Sequence, residues 1–161
     1  MTVKEYNQCV DQYSDNIYRF ILKNIKDEDK AKDVVQDTYE KLWVRADSVS
    51  FNKVRSYLFS TAYHTMIDLI RREKKYTGME EINQGEHVYE NQYKGLNEVL
   101  EDALKKLPDI QRSVVLLRDY EGYTYKEIAG ITGLSESQVK VYIYRARVTL
   151  KKHIGSVEKV I

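Results

Sequence analysis

Cysteine is nearly absent from this chain of 161 residues, with Cys9 standing alone. One thiol cannot build an internal disulfide framework. The three histidines, His64, His87 and His153, are too scattered to make a zinc cluster with it. Proline occurs once and glycine seven times, too few for an all-β chain full of tight turns. No stretch approaches the roughly 18 consecutive apolar residues of a membrane span. The start, MTVKEYNQCVDQYSD, lacks the basic n-region and apolar core of a secretory signal. No phosphate-binding loop is present, and Cys9 has no evident histidine partner, so neither a catalytic residue, a metal nor a cofactor is expected. A non-enzymatic protein of the reducing cytoplasm, not inserted in a membrane, fits all of these absences.

An excess of charge of one sign is also missing. The formal net charge is +1, so overall electrostatics do not announce a nucleic-acid partner. The distribution says more. Arg71, Arg72, Lys74 and Lys75 crowd one place, and Lys140, Arg145, Arg147, Lys151 and Lys152 crowd another. Between them lie Glu80, Glu81, Glu86 and Glu90. Two basic faces separated by an acidic connector is one reading of that pattern; ordinary solvated helix surfaces is the other.

What the chain does contain is helical periodicity. Apolar residues make up 42% of it, enough for a buried core. Thr2 and Glu5 form a capping-box pattern ahead of Tyr6, Val10, Tyr13, Ile17 and Phe20 at helical spacing. The patch Lys26–Asp29 breaks this helix and offers aspartates to cap a second, with Ala31, Val34, Thr38 and Leu42 on one face. Loop-forming residues follow at Asp47–Asn52, then a third helix with Val54, Leu58, Ala62 and Leu69 inward. The periodicity dissolves from Tyr76 to about Gly95, which reads as a linker. Further helices begin near Asn97, after Pro108, at Thr124 and at Ser135. The expected fold is all-α: two small helical bundles joined by a flexible linker, with domains at 1–75 and 97–154, the linker at 76–96 and a tail at 155–161.

The strongest local signal spans Tyr123–Arg147. Thr124 with Glu127, and Ser135 with Gln138, form two capping boxes around a very short connection through Gly133. Small Ala129 lets the two helices approach, Leu134 plugs the core, and Val139, Ile143 and Ala146 make the buried edge of the second. This is helix-turn-helix spacing, in which the second helix enters the major groove of DNA. Its other face carries Lys140, Tyr144, Arg147 and Lys151, with Arg145 beside them. Cations reach phosphates or guanine edges, and a tyrosine ring can stack or touch a thymine methyl. The amides around Ser135–Ser137 are open to a phosphate. A helical hairpin with a solvated basic face is the plainer reading.

Three further segments carry a resemblance. The run from Asp33 to Trp43 (DVVQDTYEKLW) resembles the core-polymerase-binding helix of extracytoplasmic-function sigma factors of the sigma-70 family. The run from Ser56 to Arg72 (SYLFSTAYHTMIDLIRR) is similar to their promoter-melting helix, and Leu107–Arg118 (LPDIQRSVVLLR) with the helix-turn-helix is similar to their C-terminal domain. All lie in the family's order over nearly the whole chain.

The resemblance implies a factor that binds core RNA polymerase and promoter DNA and promotes strand opening. Its polymerase contacts would be the β′ clamp helices and the β flap. Asp33, Gln36 and Asp37 match the polymerase-contacting positions; the plainer reading, compatible with the first, is that the two aspartates sit near a helix N-terminus and favour its dipole. Trp43 is expected to serve packing, in the core or an interface. The loop Ser48–Lys53 matches the family's loop that captures a flipped base of the −10 element, where Phe51 would stack, Asn52 would bond a base edge and Lys53 would assist. Tyr57, Tyr63, His64, Asp68, Arg71 and Arg72 match the strand-melting surface, although Tyr57 and Tyr63 suit a core as well as a base. His64 departs from the family's frequent asparagine. Lys140, Val141, Tyr144, Arg145 and Arg147, with Ser135 and Ser137, match the reader of the −35 element; Tyr142 and Val141 replace a frequent arginine and serine. Such factors are commonly held by an anti-sigma protein, which is a further expected partner.

Two other readings stay open from sequence. An ordinary helix-turn-helix regulator explains the C-terminal half but leaves the run from Asp33 to Arg72 unaccounted for. A structural interaction module leaves the basic helix unexplained.

Overall fold

The computed structural model describes residues 1–77 and 95–160. The expected linker, 76–96, therefore lies almost wholly outside the described residues, as do Glu80, Glu81, Glu86, Glu90 and His87.

Seven α-helices are present among the described residues, and no strand. They are α1 (Val3–Ile25), α2 (Glu28–Val44), α3 (Val54–Thr77), α4 (Leu96–Lys105), α5 (Asp109–Val115), α6 (Tyr125–Thr132) and α7 (Glu136–Val160). A 3₁₀ turn, Phe51–Lys53, leads into α3, and a single π turn, Leu116–Tyr120, continues α5. The all-α expectation of two helical units holds.

The starts and stops follow the sequence signals. Thr2 accepts from the Glu5 amide while Glu5 accepts from the Thr2 amide, closing a capping box on α1. The same reciprocal bonds join Thr124 to Glu127 and Ser135 to Gln138. Each satisfies donors that a helix start leaves orphaned. Asp27 caps α2 by accepting from the Lys30 amide. Lys26, between α1 and α2, sits in the left-handed region at φ 57°, an uncommon place for a side chain. Gly122 (φ 78°) and Gly133 (φ 84°) take the same conformation without a Cβ penalty, and Gly133 is the turn of the helix-turn-helix.

The first unit stacks α1, α2 and α3 around Ile17, Phe20, Ile21, Val34, Leu42, Leu58 and Met66, all buried. The second wraps α4–α7 around Leu104, Leu116, Leu117, Ile128, Val139 and Ile143. Arg112 is buried among the last turn of α4, where it donates to the carbonyls of Leu104 (2.9 Å) and Leu107 (2.7 Å) and pairs with Asp109 (3.1 Å). It thereby satisfies carbonyls that the helix end leaves without a partner.

The two units also pack on one another. Phe59 of α3 meets Phe20 on one side (centroids 5.7 Å apart) and Tyr123 of the second unit on the other (5.5 Å), so the aromatic core runs through the boundary. The Ser113 hydroxyl donates to the buried Asn24 side chain of α1 at 2.9 Å. The π turn matters here. It inserts one residue into the end of α5, as the Glu121 amide bonding back to Leu116 O at 3.1 Å shows, and the chain then delivers Glu121 and Tyr123 onto α3.

Candidate nucleic-acid interface

Helix α7 separates its two faces by helical period alone. Val139, Ile143 and Ala146 are buried, and Lys140, Val141, Tyr144, Arg145 and Arg147 are exposed. Ser135 and Ser137 are exposed at its start, with the Ser135 oxygen already accepting from the Gln138 amide. Val141 is 44% and Tyr144 69% exposed, so an apolar strip and an aromatic ring lie between the cations. Lys140 stands over the Tyr125 ring at 5.7 Å, with Arg118 near the same ring at 4.8 Å. Arg145 has no ion pair among the described residues. Arg147 is different: both its Nε and Nη2 bond the Asp119 carboxylate. A cation so held does not stand free for a phosphate, and a partner 28 residues away is invisible to periodicity.

The loop before α3 is exposed at Phe51, Asn52 and Lys53, with the Phe51 ring 38% accessible. The Ser50 hydroxyl donates to the Asn52 side-chain oxygen, which leaves the Asn52 amide group to act as donor. On α3, His64, Arg71, Arg72 and Asp68 are exposed, and Asp68 pairs with Arg71 at 3.6 Å. The two tyrosines divide. Tyr57 is half-buried, whereas Tyr63 is only 5% exposed and presents its ring edge-on to His64, 5.1 Å between centroids. Burial pushes the Tyr63 hydroxyl up from its ordinary pKa, with the nearby Asp109 adding to the effect.

Helix α2 exposes Asp33, Gln36 and Asp37, and Gln36 reaches Glu40 at 3.4 Å. Spacing of three and four puts these four on one stripe. The stripe ends at Trp43, 56% exposed, and Val44, 81% exposed. Trp43 is thus not core. Its ring leans edge-on against Tyr6 at 5.1 Å and leaves the other side to solvent.

Sequence reasoning missed Arg55. It lies on the first turn of α3, beside the loop, and its guanidinium sits over the Tyr123 ring at 4.3 Å while donating to the Glu121 carbonyl at 2.8 Å. Arg55 and Phe59 are four apart, a spacing that marks a shared face but not what the face meets.

Residues 9–76 match the family model for sigma-70 region 2, and residues 97–150 match the model for sigma-70 region 4. SigM of Bacillus subtilis, an extracytoplasmic-function RNA polymerase sigma factor, is 31% identical over 157 residues, covering 94% of each chain. The chain belongs to the extracytoplasmic-function sigma factors. YlaC, another RNA polymerase sigma factor of Bacillus subtilis, is 33% identical over 89% of this chain and 88% of its own. The fold is also that of the sigma factor RpoE of Bartonella quintana, solved in complex with the anti-sigma factor NepR. The TM-score is 0.81, with 24% identity over 95% of this chain and 98% of that one. A promoter-directing subunit of RNA polymerase is therefore what this sigma factor is. The match to region 2 covers α2, the loop and α3, and that to region 4 covers the helix-turn-helix. Among the described residues no helix is long and apolar enough to cross a membrane.

Proposed function

We propose that this sigma factor divides its work between three surfaces. The stripe Asp33–Gln36–Asp37 of α2, ending at exposed Trp43, grips the β′ clamp helices of core polymerase. Acidic and amide groups suit a basic partner, and an exposed indole suits an apolar one. The loop Phe51–Lys53 receives a flipped base of the −10 element: Phe51 stacks on it and the Asn52 amide donates to its edge. His64, backed by Tyr63, then lines the separated strand with half-buried Tyr57 and exposed Asp68, while Arg71 and Arg72 hold phosphates.

Helix α7 reads the −35 element through Lys140, Val141, Tyr144 and Arg145, with Ser135 and Ser137 meeting the backbone. Arg147 lies at the rim of this reader and takes a phosphate only in exchange for Asp119. The second unit also meets the β flap. No bond of a substrate is made or broken by the factor; binding energy alone opens the strands. It works where polymerase and chromosome meet, in the cytoplasm. The sigma factor RpoE was solved in complex with the anti-sigma factor NepR, and CnrH in complex with the cytosolic domain of CnrY. A protein of that kind is the expected inhibitor here.

The observation that carries this reading is the exposed, cation-bearing face of α7 on a helix-turn-helix, in one chain with the acidic stripe of α2. Run-off transcription with purified core polymerase and a genomic promoter library tests it. Promoter-specific transcripts that depend on the factor are expected; tight sequence-specific binding by the chain without polymerase would support a simple regulator instead.

A further inference from the structure

Asp119 belongs to none of the three surfaces, yet it lies against one of them. It sits within the π turn, a kind of helix irregularity that recurs at functional sites. From there its two oxygens face Arg147 of α7, one accepting from Nε at 3.2 Å and the other from Nη2. The Asp119 side chain is 40% and that of Arg147 48% exposed, so a ligand can reach both.

Stability does not account for the pair. An exposed ion pair contributes little to folding, and α7 is already held by buried Val139, Ile143 and Ala146. Its chemistry points elsewhere. A guanidinium forks a carboxylate with two parallel bonds in the same way as it forks a phosphate. Asp119 therefore fills, on Arg147, the place that a DNA phosphate would fill.

The surroundings suit a phosphate backbone. Tyr125 opens α6, the first helix of the helix-turn-helix, and in such motifs that helix crosses the backbone. Arg118 and Lys140 both stand over the Tyr125 ring, at 4.8 and 5.7 Å. The bond to Asp119 raises the Arg147 pKa above its ordinary value, and Tyr125 adds to the shift, so Arg147 belongs to the same group. Three cations thus gather around one ring, and Asp119 cancels one of the three.

Resting on the reading of α7 as the −35 reader, we propose that Asp119 sets how tightly that reader holds DNA. It keeps Arg147 out of the phosphate contacts, so that Lys140, Val141, Tyr144 and Arg145 carry a larger share of the binding. A phosphate contact carries no sequence information. Giving one up lowers affinity for promoter and non-promoter DNA alike, which shortens the time lost on sequences the factor cannot use. Asp119 is a positioning residue in this role: it touches Arg147 and not the bases.

Fluorescence anisotropy of the reconstituted holoenzyme across a salt series tests this, on a duplex promoter and on the same duplex with a scrambled −35 element. Asp119→Asn keeps the shape of the side chain and removes its charge. D119N should bind both duplexes about five-fold more tightly at about 0.15 M salt, and the slope of log affinity against log salt should steepen by about 0.9, the value of one more phosphate contact. D119N/R147Q should lose that gain and that steepening. Melting curves check that D119N is folded; should it melt early, R147K takes its place, because a single ammonium cannot fork the carboxylate, with a smaller gain of the same sign. Unchanged affinity and slope in D119N would mean that Arg147 never reaches a phosphate. Weaker binding would mean that Asp119 aims Arg147 at DNA, and a gain that survives in D119N/R147Q would mean that the carboxylate acts by repelling phosphate directly. Each of these three overturns the role given to Asp119. A wild-type holoenzyme indifferent to the scrambled −35 element would sink the reading of α7 itself, and the role of Asp119 with it.

Discussion

The two helices proposed to face DNA, α3 and α7, are built on opposite plans. On α7 the exposed residues and those that face the core are different residues, separated by helical period: Lys140, Tyr144 and Arg145 point out, while Val139, Ile143 and Ala146 point in. On α3 the two jobs overlap. Tyr63 backs exposed His64 yet is itself 5% exposed, Phe59 is wholly buried, and Arg55 is tied to the other unit. A reader of duplex DNA needs only a firm helix with side chains standing free. A surface that melts DNA has to hold strands apart, and α3, the helix proposed for that task, is also the central wall of its bundle.

The largest effect that separates the plans is on stability. Tyr63→Ala should destabilise the protein by about 3 kcal/mol, since it empties a buried ring site. That corresponds to a fall in Tm of about 6–12 °C for a chain of this size. Tyr144→Ala, removing a ring of the same type that is 69% exposed, should stay within about 0.5 kcal/mol. Thermal melts decide the matter, and equal losses in the two variants would erase the distinction.

How much of this was legible in the sequence follows from the range of each interaction. The capping boxes at Thr2, Thr124 and Ser135 were readable because both partners lie three residues apart, and all three form. The buried edge of α7 was readable because period alone dictates it. Asp33, Gln36 and Asp37 of α2 were picked out by the family resemblance, and all three are exposed. Contacts between distant residues were not readable. Arg55 meets Glu121 across 66 positions, and Ser113 meets Asn24 across 89. Nothing local in the sequence announces such a pair. The π turn at Leu116–Tyr120 was hidden for another reason: the stretch is an unbroken helical pattern up to Gly122, and only the backbone shows the inserted residue. Tyr57 and Tyr63 looked alike on α3, and burial alone tells them apart.

Function separates next, at the level of single contacts. Arg145→Ala should weaken promoter binding by the holoenzyme about ten-fold, within the ~1–3 kcal/mol that a side chain reading a base edge is worth, and leave core binding unchanged. Asp37→Ala should do the reverse, raising the factor concentration needed to saturate core polymerase without changing which promoters are used. Fluorescence anisotropy on labelled promoter and on labelled core gives the two affinities. If either variant lost both functions in proportion, damage to folding rather than to a contact would be the cause.

The smallest effect compares the two helix starts, which use the same residue differently. Ser135 accepts from the Gln138 amide and so caps α7. Ser50, which precedes the 3₁₀ turn into α3, makes no capping bond and gives its hydroxyl to Asn52 instead. Ser135→Ala should therefore cost about 1 kcal/mol, the usual worth of an N-cap, and lower the Tm by about 2–4 °C. Ser50→Ala should cost less than about 0.5 kcal/mol. Its mark should fall on the −10 side: without the Ser50 hydroxyl the Asn52 amide is free to rotate and present its oxygen, so preference for the flipped base should broaden while overall stability holds. A Ser50→Ala variant that melted earlier yet kept its base preference would mean that this serine caps the helix in solution, and the two starts would then be alike.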